Sequence, residues 1–593
     1  MKKKNILILA CVSLLFTNCN DNFMERFPKT EISIETFFKS VSDLESYSNT
    51  FYADLDVPIH DALSDNISNY GSDIELQTLM VGNLSAETVD EWNWERIRKY
   101  NVLLENVHRT SGEQEKINHF IGITRLFRAI NYYDKVKRYS DVPWYSKSLN
   151  VEDIDLLYKP QDSRTLVVDS IMNDLDYASN WVQKGSSKTR ITQYAALGIQ
   201  ARIALHEGTF RKYHEELKLT DGDRFLQIAI KACEEIMESD QFSLTPEYSS
   251  LFNSNDLNSN PEVILFMDYD ASKSIFNNTR TVFNYNYGLS QDLLDSYLYF
   301  KDGKIIPYTN LSNYTTQTYV ETFANRDPRI KATVCYPGYI KAGESKPFLT
   351  TPDRGGYLQI KYAPTSIDQW SHGASYIDIP LIRLAEIYLI YAEAKAELGT
   401  LTQNDLDKSV NKLRTRIGLP PINMNEANAN IDPILAQKYP NINGPIAGTI
   451  YELRRERRVE LACEGFRFDD VNRWKAGKLF ASQQKGFYVP ELGPIDVTGD
   501  GIPDIAILAK PEDKKSLSED LQNSLAIYYL ENESGAKASY YLSEGDKGHI
   551  MFETQRLLIR KFIEPQYYYR PISLQDKKIN PNLKETIFWE QSE

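Results

Sequence analysis

Aromatic and short polar side chains gather in two segments that lack helical periodicity. Between 61 and 94 lie Asp65, Asn66, Tyr70, Asp73, Trp92 and Trp94; between 354 and 378 lie Arg354, Tyr357, Trp370, His372 and Tyr376. These residue types suit a carbohydrate. A pyranose or furanose presents a C–H face to a flat ring, and each buried hydroxyl needs a partner because an unsatisfied polar group costs about 1–3 kcal/mol. Trp94 opens a helix and is expected to pack inward. Asp65, Asn66, Tyr70, Trp92, Arg354, Trp370 and Tyr376 remain as candidate ligand contacts.

A second pattern runs from Asp496 to Asp504, with oxygen donors at positions 1, 3, 5 and 9 and Gly501 at position 6, as in a calcium loop. Thr498 at position 3 and Ile507 at position 12, where a bidentate Glu belongs, exclude an EF-hand. A structural calcium held by Asp496, Asp500, Asp504 and the Ile502 carbonyl is the one metal site on offer, the alternative being a solvated turn. No cofactor is required. H-E-x-x-H, G-x-S-x-G, Walker A and G-x-G-x-x-G are all missing, so the chain is read as a non-enzyme.

These loops must be held by something rigid, and the periodicity supplies helices. Apolar residues at helical spacing predict helices over 41–54, 94–110, 113–139, 163–184, 190–208 and 223–239, the pattern of a helical repeat or solenoid. In 190–208 Thr192 can cap, and Ala195, Ala196, Gly198, Ala201 and Ala204 permit close helix approach. Residues 240–380 read as loops with a strand near 262–268. A buried helix is expected over 380–399, from Pro380 to Gly399, and another over 449–464, opened by a Thr449–Glu452 capping box. Residues 484–550 read as irregular. Around Glu456–Trp474 charges are densest, and Glu452/Arg455, Arg457/Glu460 and Glu464/Arg467 are spaced as neighbours on a helix surface. That cluster reads as structural, as do Tyr132, Tyr133 and Tyr139.

The N-terminus carries Lys2, Lys3 and Lys4 before an apolar run from Ile6 to Phe16, the length of a signal h-region. Cys19 follows at the position of a lipoprotein acyl acceptor, with Asn18 where a small residue is usual. Residues 1–18 are therefore read as a lipoprotein signal peptide and Cys19 as the lipid attachment site. Cys233, Cys335 and Cys463 are odd in number and widely spaced, which excludes a disulfide framework and a structural zinc site. With 67 Lys plus Arg against 82 Asp plus Glu the net charge is -15, and no basic stripe offsets it. Nucleic acid is excluded as a partner. The 593 residues would allow several domains, yet no linker composition divides them.

Seven ordered segments together resemble the SusD/RagB family of outer-membrane nutrient-binding lipoproteins: 128–144 (RAINYYDKVKRYSDVPW), 190–205 (RITQYAALGIQARIAL), 326–329 (RDPR), 382–399 (IRLAEIYLIYAEAKAELG), 411–419 (NKLRTRIGL), 456–474 (ERRVELACEGFRFDDVNRW) and 569–583 (YRPISLQDKKINPNL). The resemblance covers essentially the whole mature chain. It implies a mainly α fold, a right-handed tetratricopeptide-like helical solenoid with a loop-rich, partly irregular second part packed against it. Residues 19–250 and 251–593 would be fused into one body. It further implies an outer-membrane protein, anchored by its N-terminal lipid and facing outward, that binds an oligosaccharide and delivers it to a SusC-like TonB-dependent transporter. A peptide-binding member of the same architecture and a surface glycosidase are the alternatives.

Overall fold

The computed structural model describes residues 37–70, 78–79, 81–284 and 287–589. The signal segment, Cys19 and Asp73 lie outside them. Helices α1 (Val41–Asn49), α2 (Glu95–Asn106), α3 (Gln114–Tyr139), α4 (Arg164–Trp181), α5 (Gln193–Tyr213) and α6 (Gly222–Met237) follow the periodic segments closely. Ser40, Ser163 and Thr192 cap α1, α4 and α5 by accepting an amide proton from the first turn. From α2 onward each helix packs on the next in chain order, the quasi-one-dimensional stacking of a tetratricopeptide-like solenoid.

The small residues of α5 make this stacking tight. A Cβ added at Gly208 would lie 3.0 Å from the Gly222 carbonyl oxygen, and one added at Gly222 would lie 2.8 Å from that of Gly208. Backbones of α5 and α6 therefore meet where neither carries a side chain.

In the second half β2 (Val263–Met267) pairs antiparallel with β6 (Ile379–Arg383), which runs straight into α7 (Leu384–Glu397). Pro380 is thus a strand residue opposite Phe266 rather than a helix start, while Gly399, at φ +70°, stands just past the helix end as expected. Two other small antiparallel pairs are β1 (Ile67–Tyr70) with β3 (Tyr287–Leu289) and β4 (Tyr299–Lys301) with β5 (Lys304–Ile306). Then come α8 (Val410–Arg416), α9 (Ala447–Glu460) and α10 (Arg467–Arg473). Thr449 does not cap α9. The helix begins two residues earlier, and the Asn428 side chain accepts from both the Thr449 amide and its hydroxyl.

Residues 484–550 are less irregular than their composition indicates. They form β7 (Tyr488–Val489), β8 (Gly493–Ile495), β9 (Ile505–Leu508), β10 (Ala526–Tyr529), β11 (Tyr540–Leu542) and β12 (Gly548–Phe552), in two three-stranded sheets. Strands this short show no readable alternation. One continuous apolar core runs from Phe38 to Leu583, so residues of both halves share an interior.

The charge cluster on α9 and α10 is buried, and most of its partners are distant in sequence rather than three residues away. Glu460, with no exposed surface, accepts from Arg383 at 2.7 Å, from Arg416 at 2.7 and 2.8 Å and from Arg329 at 2.8 Å. Glu464 binds Lys361 and Arg383, not Arg467; Arg457 binds Asp470, not Glu460. Of the three expected neighbour pairs only Glu452 and Arg455 meet, at 3.4 Å. Burial alone would raise the Glu460 carboxyl, but the arginines outweigh it and hold the group far below its ordinary value.

Glu460→Gln keeps the shape of the side chain and leaves three buried guanidinium groups short of a counter-charge. It is expected to cost about 3–5 kcal/mol in denaturant unfolding, and a loss below about 1 kcal/mol would show the network to be dispensable.

Acid is expected to destabilise the fold in two stages. Burial pushes His206 down to about 3 and lowers His214 as well, from an ordinary value of 6.5. The unfolded chain therefore binds protons that the folded chain refuses, so this stability is complete above pH 6.5 and is lost as pH falls through it toward 3. Glu207 and Glu393 are held at about 2 against their own burial by paired arginines, and their contribution is lost below 4.5. Thermal melts across pH check both stages, and a Tm that stays level from pH 7 to 4 would contradict the first.

Candidate functional site

The loop that carries Asp65 and Asn66 is fastened to α9 and α10. Asp65 is 1% exposed and takes Arg467 through both carboxylate oxygens at 2.7 Å, with Arg458 at 3.1 Å. Asn66 accepts from Arg458 and donates to Asp61, whose carboxylate also holds the Cys463 and Gly465 amides. Both side chains spend hydrogen bonds on anchoring the loop, and Asp65 also borders a basin beside Lys438 and Lys475. Tyr70 ends β1 opposite Tyr287, and its side chain is not among those described.

The second segment is only partly a binding surface. Tyr357 is buried and donates to Gln291 at 2.6 Å. Trp370 meets the Phe283 ring edge-on at 5.6 Å, and the Lys341 ammonium lies 4.1 Å from its centroid. Its ring anchors the loop instead of lying open to a sugar. Tyr376 is half-buried with its hydroxyl on Asp368 at 2.9 Å, His372 is exposed, and Arg354 lies 3.8 Å from Asp353. The Arg354 backbone, not its guanidinium, is what packs against Gly288 in β3. The six candidates whose side chains are described do not converge on one site.

Among the candidates with described side chains, Trp92 lines a groove suited to the expected chemistry. Asn93 accepts the Glu95 amide proton at 2.8 Å, which fixes the turn into α2 and sets Trp92 and Trp94 side by side. Trp92 stands perpendicular to Trp94 at 5.2 Å and to Tyr139 of α3 at 4.9 Å; Trp94 stands perpendicular to Tyr145 at 5.2 Å. Edge-to-face contacts of this kind immobilise rings at little entropic cost. The Lys135 ammonium lies 4.8 Å from the Trp94 centroid, and burial lowers it to about 8.

The opposite wall comes from the far end of the chain. Asp576, Ile579, Asn580 and Leu583 face the tryptophans across a groove of about 360 Å³. Asn580 donates to the Lys159 carbonyl and Asn582 to that of Tyr158, tying this wall to the solenoid. Arg98, Lys147 and Asp576 supply polar groups, while Leu157 and Ile579 leave apolar surface at the rim, 38% and 61% exposed. A flat hydroxylated ligand fits such a surface. Tyr145 and the 576–583 wall were not legible in sequence, because they join Trp92 only through tertiary packing. A basin of about 400 Å³ lined by Lys438, Lys475 and Lys478 contains no aromatic ring.

The 496–504 loop turns its carboxylates on itself. Asp496 accepts the Thr498, Gly499 and Gly501 amides, Asp504 those of Val497 and Thr498, and Asp500 that of Ile502. Among the described residues no three Asp, Glu, His or Cys side chains are grouped as a metal site. The structure thus does not gather Asp496, Asp500, Asp504 and the Ile502 carbonyl into a cation site.

Compared with known proteins, residues 253–589 match the model of the SusD family and residues 38–205 match one described as starch-binding associating with outer membrane. A SusD-like protein of Bacteroides ovatus is 23% identical over 527 residues, covering 82% of this chain and 86% of its own. A SusD-like carbohydrate-binding protein from Bacteroides fragilis superposes with a TM-score of 0.67 at 21% identity, over 93% of this chain and all of that one. A laminarin-binding SusD-like protein superposes with a TM-score of 0.57 at 15% identity, over 93% and 100% of the two chains.

Because the loop carboxylates already accept amide protons, calcium added to the chelated protein is expected to give neither binding heat nor a rise in Tm. A stoichiometric heat would mean that the loop rearranges around the ion.

Proposed function

The chain belongs to the SusD family, and from that premise we propose that it is a lipid-anchored outer-membrane protein that binds oligosaccharides at the cell surface and passes them to a TonB-dependent transporter. The observation that carries the binding step is the Trp92–Trp94–Tyr145 groove, where a sequence-named aromatic borders a concave surface with polar groups at hand. Stacking on Trp92 would take the C–H face of a sugar, and Arg98, Lys147 and Asp576 would take hydroxyls. The carbohydrate-binding and laminarin-binding descriptions of two structural neighbours support the same ligand class.

Attachment through Cys19 is supported by the basic and apolar segment before it. No helix among the described residues is long and apolar enough to cross a membrane. A tethered body of this kind holds its ligand near the transporter without having to span the bilayer. Transfer is a binding event, and we read the protein as performing no chemistry on the glycan.

Trp92→Ala is expected to weaken oligosaccharide binding at least tenfold, about 1.4 kcal/mol, with secondary structure retained. A glycan and peptide panel read by calorimetry checks it, and binding confined to peptides would replace the ligand class. Product release from any glycan would overturn the binding-only reading. Mass spectrometry of the mature N-terminus tests the acyl group, and co-purification from solubilised outer membranes tests the transporter.

A further inference from the structure

The outward face of α4 carries an aromatic pair that the core does not use. Val167, Val168, Ile171, Leu175 and Ala178 fill the buried side of the helix, while Asn173, Tyr177, Asn180 and Trp181 follow one another at helical spacing on the other side. Trp181 is the last residue of α4 and is 45% exposed. Its ring centroid lies 6.1 Å from that of Tyr177, with the planes 31° apart. Arg125 of α3 sets its guanidinium 4.2 Å from the Tyr177 centroid. A lone apolar side chain on a surface is ordinary, but an open tryptophan beside a second ring, itself held by a guanidinium, is an ordered platform.

The backbone under the rings is fixed. Val182, the next residue, turns extended and is buried, and a Cβ added at Gly122 of α3 would lie 2.8 Å from its Cγ2. The Gln183 amide then donates to His119 Nδ1 at 3.1 Å. A ligand that lands on rings already held has little left to order.

Polar groups surround the pair. Asn180 donates to the Asp176 carbonyl at 2.7 Å and to its carboxylate at 3.3 Å, and Asn173, Asp176 and Asn180 are exposed. Arg128 takes both oxygens of Asp174, at 2.7 and 2.8 Å, so Arg125 approaches that carboxylate only to 3.8 Å, and its side chain is 33% exposed. The lining therefore holds one cation, Arg125, one carboxylate, Asp176, and two neutral amides. Charge is balanced there, so neither an anion nor a cation is selected. Two rings in a polar field are too small for a stable protein interface, which buries about 800 Å² per partner. The described lining holds no aliphatic side chain that a lipid surface would need. A hydroxylated ring asks for what is present: flat apolar area for its C–H face, and amide and carboxylate groups for its hydroxyls.

We propose that this face of α4 is a second glycan-binding surface, on which Trp181 and Tyr177 take the apolar faces of a neutral oligosaccharide and Asn173, Asp176, Asn180 and Arg125 bond its hydroxyls. The proposal rests on the reading of the chain as a glycan binder and adds a site to it. Both sites are mounted on α3: Tyr139 supports Trp92, and Arg125 supports Tyr177 fourteen residues earlier, about 21 Å along the helix. A glycan long enough to reach both makes its second contact at a high effective concentration.

The test is calorimetry on the full mature protein with laminaritriose, maltotriose, cellotriose and xylotriose, too short to bridge the sites, and with their parent polysaccharides. A trisaccharide that binds is expected to occupy two sites on the wild type and one on Trp181→Ala, and its polysaccharide to bind that variant at least tenfold more weakly. Trp181 is exposed, so an unchanged Tm is expected, and Trp181→Phe, which keeps a ring, is expected to retain most of the binding. Two sites left intact by Trp181→Ala, or a single site abolished by Trp92→Ala and untouched by Trp181→Ala, would overturn this surface and leave the groove standing. A single site abolished by Trp181→Ala and untouched by Trp92→Ala would uphold this surface and overturn the groove. No binding of any glycan would remove both. Unchanged glycan binding with loss of transporter co-purification in Trp181→Ala would make this a protein-docking face and overturn the proposal.

Discussion

Glu460 is the point through which the second half of the molecule is held. Three elements reach it, in the last turn of α9, with buried side chains: Arg329 from the segment after Arg326, Arg383 from β6 and Arg416 from α8. Arg383 also holds Glu262 and Glu464, and Arg329 holds Asp327 and Glu456. Taking such charges out of water costs several kcal/mol per ion, and only full pairing returns it. The network therefore admits one arrangement of these segments. A segment out of place would leave an uncompensated charge in the interior, a larger penalty than a misfitted apolar side chain. Loop-rich sequence with little regular secondary structure acquires a single geometry in this way, and the same device fastens the 61–66 loop through Asp65, Arg458 and Arg467.

The fold was legible where order is local. Helices α2 to α6 announce themselves by apolar spacing, by Thr192 at a cap and by the small residues of α5, because a helix is decided within about four residues of each position. The ion pairs were not legible. Arg457 and Glu460 stand three apart, the spacing of a surface pair, yet Glu460 finds Arg329 131 residues away and Arg467 finds Asp65 402 residues away. Sequence spacing carries no information about partners at that range. The short strands β7 to β12 escaped for a related reason: two to five residues are too few to show a period.

The site divided along the same line. That Trp92 borders a groove was legible because an aromatic just before a helix start is held by that helix and stays near the surface. Asp65 and Asn66 looked identical to ligand-binding residues, since a short polar side chain on a loop can serve a sugar or an arginine equally well. The arginines that claim them, Arg458 and Arg467, lie on α9 and just beyond it, and nothing near position 65 reveals them. The packing of the Trp370 ring was not legible, because its neighbours Phe283 and Lys341 are both remote in sequence.

The tyrosines follow from the acidity. With 82 carboxylates against 67 basic side chains, buried acids need donors, and a tyrosine buries a large ring while contributing one O–H. Tyr100 donates to Asp54, Tyr213 to Glu397, Tyr391 to Asp405 and Tyr568 to Glu564. Burial, reinforced by these carboxylates, raises every one of those phenols far above its ordinary value, so each remains a donor at any pH the protein meets. Lysine in the same places would carry a charge that must itself be solvated or paired. An acidic chain can therefore close a packed interior with tyrosine without adding cations, and the rings that close it also supply the floor, Tyr139, on which Trp92 stands.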